Sequence, residues 1–284
     1  MELGIFSRTF EGPDLGAVLD KVTAHRFELV HLSLRSAGLP ALPEDLDAGR
    51  CAAIRSELES RHVRLAGVSG TFNAIHPDRA RRDHETTLAC RLIGFAPALG
   101  TTLVTLSTGT RDPNDMWRGH PANDEPSAWS DLRYTLSRLL EAAQSAGVAL
   151  GIEPEHNNVV SSAHRARRLL DEFHDEHLRI ILDPANLLAP GTAHRQQNVL
   201  TEAFELLADE VAVFHAKDFT TGGDTAAGRG LLDYALYFEL MARFGREIPV
   251  IIHEVAEDDV DRARDYVRAK ARDADVPLAS RSEA

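Results

Sequence analysis

Four short apolar runs, rich in β-branched residues, end alike, each placing one metal-ligating type of side chain at its C-terminal end. VALGIEPEHN carries Glu153, RIILDPANL carries Asp183, VAVFHAKDF carries His215 and VIIHEV carries Glu254. The four residues are 30, 32 and 39 positions apart, each gap about the length of one strand-helix-strand unit of roughly 30 residues. That spacing predicts four successive parallel strands that converge on one site.

The rest of the chain keeps the same rhythm. ELGIFS (2–7), FELVHLS (27–33), VRLAGVSG (63–70) and TTLVTLSTG (101–109) read as four more strands. Helical periodicity fills the intervals at 15–25, 49–61, 78–99, 126–146, 162–173, 196–207, 231–244 and 258–272, with Asp14 as the N-cap of the first. Eight strands alternating with eight helices predict an α/β fold, a single (β/α)8 TIM barrel over residues 1–272. The chain's 284 residues suffice for one such domain, since the barrel takes about 250. An open doubly wound sheet is the competitor, but IFSRTFEGPD stands where its Gly-rich phosphate turn would follow the first strand. The polar end DADVPLASRSEA (273–284) is expected to be a flexible tail.

Charge narrows the partners. With 31 basic and 44 acidic residues the formal charge is -13, which repels a nucleic-acid backbone. Cys51 and Cys90 stand in helix-like segments with no metal or redox spacing, which suits a reducing compartment. Met1 leads directly into ELGIF, with neither a basic leader nor a long apolar run; a cytoplasmic protein without a membrane span is the expectation. Homo-oligomerisation is compatible with the fold, although no stretch marks an interface.

A barrel of this kind does its chemistry on the C-terminal rim, in the loops that follow the strands. Glu153, Asp183, His215 and Glu254 all fall there, an oxygen-rich set that suits Mn, Mg or Co, with Zn also possible. Clustered carboxylates without a cation would raise one another's pKa, so one divalent metal ion is the natural partner. A lone Glu or Asp at a strand end is ordinarily a cap or a surface ion pair, but capping gives no reason for recurrence at four consecutive strand ends.

Other rim residues are candidates for substrate contact. Lys217 shares a strand side with His215 and could reach the barrel mouth, or pair with a carboxylate such as Asp218. His76, in FNAIHPD, and His31, ending the second strand, could touch substrate or anchor loops. Trp117, His120 and Arg111 lie in the long fourth loop, where an aromatic can stack on a sugar face and an Arg can pair with an anion. Glu155 and His156 are placed to orient Glu153. With Glu254 directed inward, alternation sends His253 outward, between barrel and helices. AAGRG (226–230) reads as a shaped seventh loop.

The order Glu, Asp, His, Glu, together with HAKD after the seventh strand and the loops GTFNAIHPD and TLSTGTRDPNDMWRGHPAND, resembles the xylose-isomerase-like TIM-barrel superfamily. Within it the chain looks like the group of sugar phosphate isomerases and epimerases. The resemblance implies that Glu153, Asp183, His215 and Glu254 hold one divalent metal. It also implies that Glu153 and Glu254 move a proton at the carbon beside a carbonyl. Many relatives carry Asp-X-X-His after the sixth strand; here the sequence is DPAN, with Asn186 in place of His. An amide can still hydrogen-bond a hydroxyl but carries no proton near neutral pH. Endonuclease IV, a more distant relative, needs extra histidines that VSGT, LSTG and DPAN lack. The expectation is a metal-dependent isomerase or epimerase of a keto sugar acting through an enediolate, with a lyase, dehydratase or decarboxylase as the alternative.

Overall fold

Side-chain alternation in eight short strands builds the architecture. The computed structural model describes residues 1–188 and 191–278. The strands are β1 (Leu3–Phe6), β2 (Leu29–Leu32), β3 (Arg64–Ser69), β4 (Leu103–Ser107), β5 (Ala149–Glu153), β6 (Leu178–Leu182) and β7 (Val211–Ala216). They are followed by a small hairpin, β8 (Asp218–Thr220) and β9 (Gly223–Thr225), and by β10 (Val250–Ile252). All except the hairpin pair in parallel and close into an eight-stranded barrel in which β10 joins β1 to β7.

Helices α1 (Leu15–Ala24), α2 (Ala48–Ser60), α3 (Arg79–Leu99), α4 (Pro126–Ala146), α5 (Ala163–Phe173), α6 (Gln196–Leu207), α7 (Tyr234–Phe244) and α8 (Val260–Asp273) surround it. This is the α/β TIM barrel that the periodicity predicts. Helix starts are set by short polar side chains: Asp14, Asp47 and Asp78 each accept a hydrogen bond from a first-turn amide, a cap that contributes about 1 kcal/mol. The 231–244 helix starts at Tyr234 because the Asp233 carboxylate caps it from the Leu236 amide.

Each barrel strand sends one set of side chains to the helices and the other into the barrel. Val30, Val104, Ile180 and Ile252 belong to the large core under the helices. Leu29, Leu103, Ile181, Val213 and Ile251 form a separate cluster inside the barrel. Glycines make room for it: a Cβ on Gly151 would lie 2.5 Å from Ile181 Cδ1, and one on Gly4 would lie 2.7 Å from Ile251 Cδ1. The next inward positions are polar, and they form the floor of the site.

The hairpin was not legible in the sequence. It is tied down by the buried Asp218 carboxylate, which accepts hydrogen bonds from the amides of Phe219, Leu232, Gly228 and Gly230. A Cβ on Gly230 would lie 2.2 Å from Asp218 Oδ1 and 2.3 Å from the Phe219 carbonyl oxygen, so the backbone closes round Asp218 only with glycine there. The 226–230 segment does shape this loop. At the other end of the chain Val276 is buried, and the Met1 amine donates to the Pro277 carbonyl at 2.9 Å. Residues 279–284 of the expected tail lie outside the described residues. Among the described residues no helix is long and apolar enough to cross a membrane.

Candidate metal centre and substrate cavity

The polar layer lies two residues above the apolar one on the same strands. Leu29 leads to His31, Leu103 to Thr105, Gly151 to Glu153, Ile181 to Asp183, Val213 to His215 and Ile251 to His253. All of these polar side chains except the fully buried Asp183, with Phe6, Arg8, Glu155, Asn186, Lys217, Asp224, Trp117 and Glu254 among others, line a cavity of about 320 Å³ at the C-terminal mouth. The size and the convergent polar groups are those of a small-molecule site.

Three of the four expected ligands meet on its floor. His215 Nδ1 lies 3.0 Å from Glu153 Oε1 and 3.6 Å from Asp183 Oδ2. Asp183 is fully buried, and it turns its other oxygen, Oδ1, to the amides of Ala185 and Asn186. Asn186 Nδ2 donates to Glu153 Oε1 at 2.7 Å, and its Oδ1 accepts from Lys217 Nζ at 2.6 Å. Lys217 is also paired with Asp224 at 2.7 Å and approaches Asp183 Oδ2 at 3.8 Å. Lys217 thus turns into the cavity, and its carboxylate partners are Asp224 and Asp183, not Asp218.

Glu254 is not brought into this group. With Ile251 pointing inward, alternation places His253 inside the barrel, stacked on His215 with ring centroids 5.2 Å apart. Glu254 follows in a left-handed conformation, φ 50°, with its side chain 53% exposed; for a non-glycine residue that conformation costs about 1–2 kcal/mol. The expectation that His253 lies between barrel and helices is therefore corrected. In a run such as VII both faces are buried, so hydrophobicity does not reveal which face points inward.

The remaining candidates divide. Trp117 stands at the cavity mouth, 47% exposed. His31 is on the floor, its Nε2 2.8 Å from Thr105 Oγ1. His76 and Arg111 do not line this cavity. His76 is held in its loop by the Asp78 amide and approaches the Pro113 carbonyl at 3.1 Å, while Arg111 pairs with Asp131 at 2.7 Å and donates to the Ile75 carbonyl. His120 caps a short turn through the Ala122 amide. Glu155 and Asp224 are cavity residues that the sequence reading did not assign to the substrate. Asp224 lies on the unforeseen hairpin, and Glu155 shares strand parity with Glu153, a signal that was available.

The electrostatics are those of a dense, buried cluster. Burial disfavours a charged His215, yet the carboxylates of Glu153 and Asp183 hold it up at about 9. Burial likewise opposes the Lys217 ammonium, and Asp183, Asp224 and Glu153 raise its pKa nonetheless. Burial and then repulsion from Glu153 push Glu155 up to about 8. His31, desolvated and beside His215, falls to about 3, and His253 falls well below the usual range, chiefly through burial.

These residues fit a divalent cation. Asp183 Oδ2 and His253 Nδ1 are buried with no hydrogen-bond partner among the described residues, each such atom costing about 1–3 kcal/mol. Asp183, His215 and His253 each bring one donor atom within 4.8 Å of the other two. The 3.0 and 3.6 Å separations around His215 Nδ1 are near the roughly 3.0–3.4 Å between neighbouring donors in a shell of radius about 2.1 Å. A cation held here would take the place of a proton on His215.

Comparison with solved structures finds the same architecture in sugar epimerases. L-ribulose 3-epimerase superposes with a TM-score of 0.76 at 15% identity, over 97% of this chain and 96% of that one. The 3-keto-D-glucoside 4-epimerase from E. coli, in its apo form, gives 0.76 at 14%, over 95% and 99%. The IOLI protein with a bound zinc atom gives 0.75 at 13%, over 96% and 99%. No curated protein matches the sequence. The family model described as xylose isomerase-like TIM barrel matches residues 19–272, nearly the whole barrel together with every strand that feeds the polar floor; the chain belongs to that family.

Proposed function

We propose that the protein is a divalent-metal-dependent isomerase or epimerase acting on a ketose or a related keto sugar or sugar acid through an enediolate intermediate. The observation that carries this reading is the meeting of Glu153, Asp183 and His215 on the floor of a cavity of about 320 Å³, with the Lys217 ammonium beside them. The structural likeness to sugar epimerases supports the substrate class.

A bound divalent cation would supply Lewis-acid polarisation of the carbonyl and its neighbouring hydroxyl. Glu153 is placed to take the proton from the carbon beside the carbonyl, its Oε1 oriented by Asn186 Nδ2 and by His215. Lys217, fixed by Asp224 and Asn186, offers positive charge to a developing oxyanion. Trp117 offers a ring face at the mouth for the apolar side of a sugar. His31 and Thr105, hydrogen-bonded to each other, offer polar groups on the cavity wall.

A second reading has one observation in its favour. Glu254 lines the cavity but its side chain is 53% exposed and has no hydrogen bond to the floor residues among the described residues, so the carboxylate expected to return the proton is less firmly held than Glu153. That favours a lyase, dehydratase or decarboxylase on a keto sugar, where proton removal and departure of a group need no second base. Deuterium exchange separates the two. Metal-loaded protein incubated with a ketose and keto-glycoside panel in deuterated water is expected to place deuterium beside the carbonyl and to yield an isomer. Release of a smaller product, or loss of water or carbon dioxide, would instead establish the second reading.

A further inference from the structure

We infer that His253, not Glu254, joins Asp183 and His215 as a metal ligand, with Glu153, 3.0 Å from His215 Nδ1, as the remaining carboxylate of the set. The inference rests on the metal-dependent reading above and concerns which residue closes the site. Strand parity is the first argument. Ile251 belongs to the apolar cluster inside the barrel and Ile252 to the core outside it, so the next inward side chain is His253. Its ring stacks on that of His215 at 5.2 Å with an interplanar angle of 20°, and one of its donor atoms falls within 4.8 Å of those of Asp183 and His215.

The two ring nitrogens provide the second argument. His253 Nδ1 is buried and has no hydrogen-bond partner among the described residues, while Nε2 lies 3.7 Å from Glu254 Oε1. One nitrogen is thus free for a metal and the other lies near a carboxylate which, once drawn into hydrogen-bond range, would fix the ring's tautomer and orientation. Glu254 is then a positioning residue: its backbone is left-handed, φ 50°, and its Oε1 lies 3.7 Å from His253 Nε2, outside the donor cluster. Two imidazole donors also move metal preference from Mg and Mn towards Co and Zn.

The test is cobalt(II) binding, read by visible absorption and by elemental analysis, on wild type, His253→Gln, Glu254→Gln and His253→Ala with added imidazole. Wild type is expected to bind one cobalt with a ligand-field spectrum. His253→Gln is expected to lose affinity by at least about a hundredfold and to change the spectrum, imidazole restoring the wild-type bands in His253→Ala. Glu254→Gln should keep those bands with a smaller loss of affinity, at most about tenfold. If Glu254→Gln alters the spectrum and His253→Gln does not, or if Glu254→Gln loses affinity as severely, the assignment of His253 is overturned while the metal-dependent reading stands. Wild type that binds no cobalt overturns that reading itself. Thermal melting of the metal-free variants distinguishes ligand loss from misfolding, and His253→Ala with imidazole reads the site even where His253→Gln is unstable.

Discussion

Two layers of the barrel interior, one residue pair apart along the same strands, do opposite work. The lower layer, Leu29, Leu103, Ile181, Val213 and Ile251, packs over glycines and holds no polar side-chain atom. The upper layer, His31, Thr105, Glu153, Asp183, His215 and His253, is equally enclosed at most positions yet leaves several buried polar atoms without a partner. The lower layer spends its burial on stability. The upper layer holds polar groups at a free-energy cost that a bound cation and substrate can offset, as functional sites do. A period of two separates them because successive side chains on each parallel strand alternate between the two faces of the barrel wall.

Substitutions on each layer sharpen or break this division. The largest effect is expected from Glu153→Gln, which keeps size and packing but removes the carboxylate charge at the proton-transfer position. Steady-state assay on the true substrate should show turnover lowered by about 10²–10⁴-fold, with the melting temperature unchanged or raised. Full turnover would remove Glu153 from its role as base.

Ile181→Ala addresses the lower layer. Ile181 is fully buried among Leu29, Leu103, Val213 and Ile251, and deleting its side chain should destabilise the fold by about 2–5 kcal/mol in chemical denaturation. Turnover per folded molecule should stay within a few-fold. A loss of turnover matching that of Glu153→Gln, in protein still folded, would mean that the lower layer shapes the chemistry directly.

The smallest effect is expected from Trp117→Ala, at the rim above both layers. Trp117 is 47% exposed, so stability should not move. Losing one ring face of about 0.5–1.5 kcal/mol should raise KM by roughly three- to tenfold with kcat nearly constant. A fall in kcat at unchanged KM would instead make the fourth loop a closing element.

The division of labour also explains what was legible in the sequence. Strand ends marked by Glu153, Asp183 and His215 were readable because each is a polar residue ending an otherwise apolar run, and such runs specify buried parallel strands. Helix starts were readable from Asp14, Asp78 and Pro126, whose side chains act locally. The parity of β10 was not readable: Val250, Ile251 and Ile252 are all fully buried, so nothing in their hydrophobicity tells inside from outside, and His253 and Glu254 exchanged places. The hairpin after β7 was hidden because Asp218 organises it through backbone amides far along the chain, from Gly228 to Leu232. His76 and Arg111 sit in the right loops, but their partners, Pro113 and Asp131, become visible only when the chain is folded.

The most direct test of the account is the metal content of the wild-type protein, measured by elemental mass spectrometry after purification without chelator and after reconstitution with zinc, cobalt, manganese or magnesium. The upper layer, with the clustered donors of Asp183, His215 and His253, predicts one tightly held divalent ion per chain, and less of it in Asp183→Ala. A chain that holds no metal under any of these conditions, or an Asp183→Ala variant that holds as much as wild type, would contradict a metal centre at the mouth of this barrel.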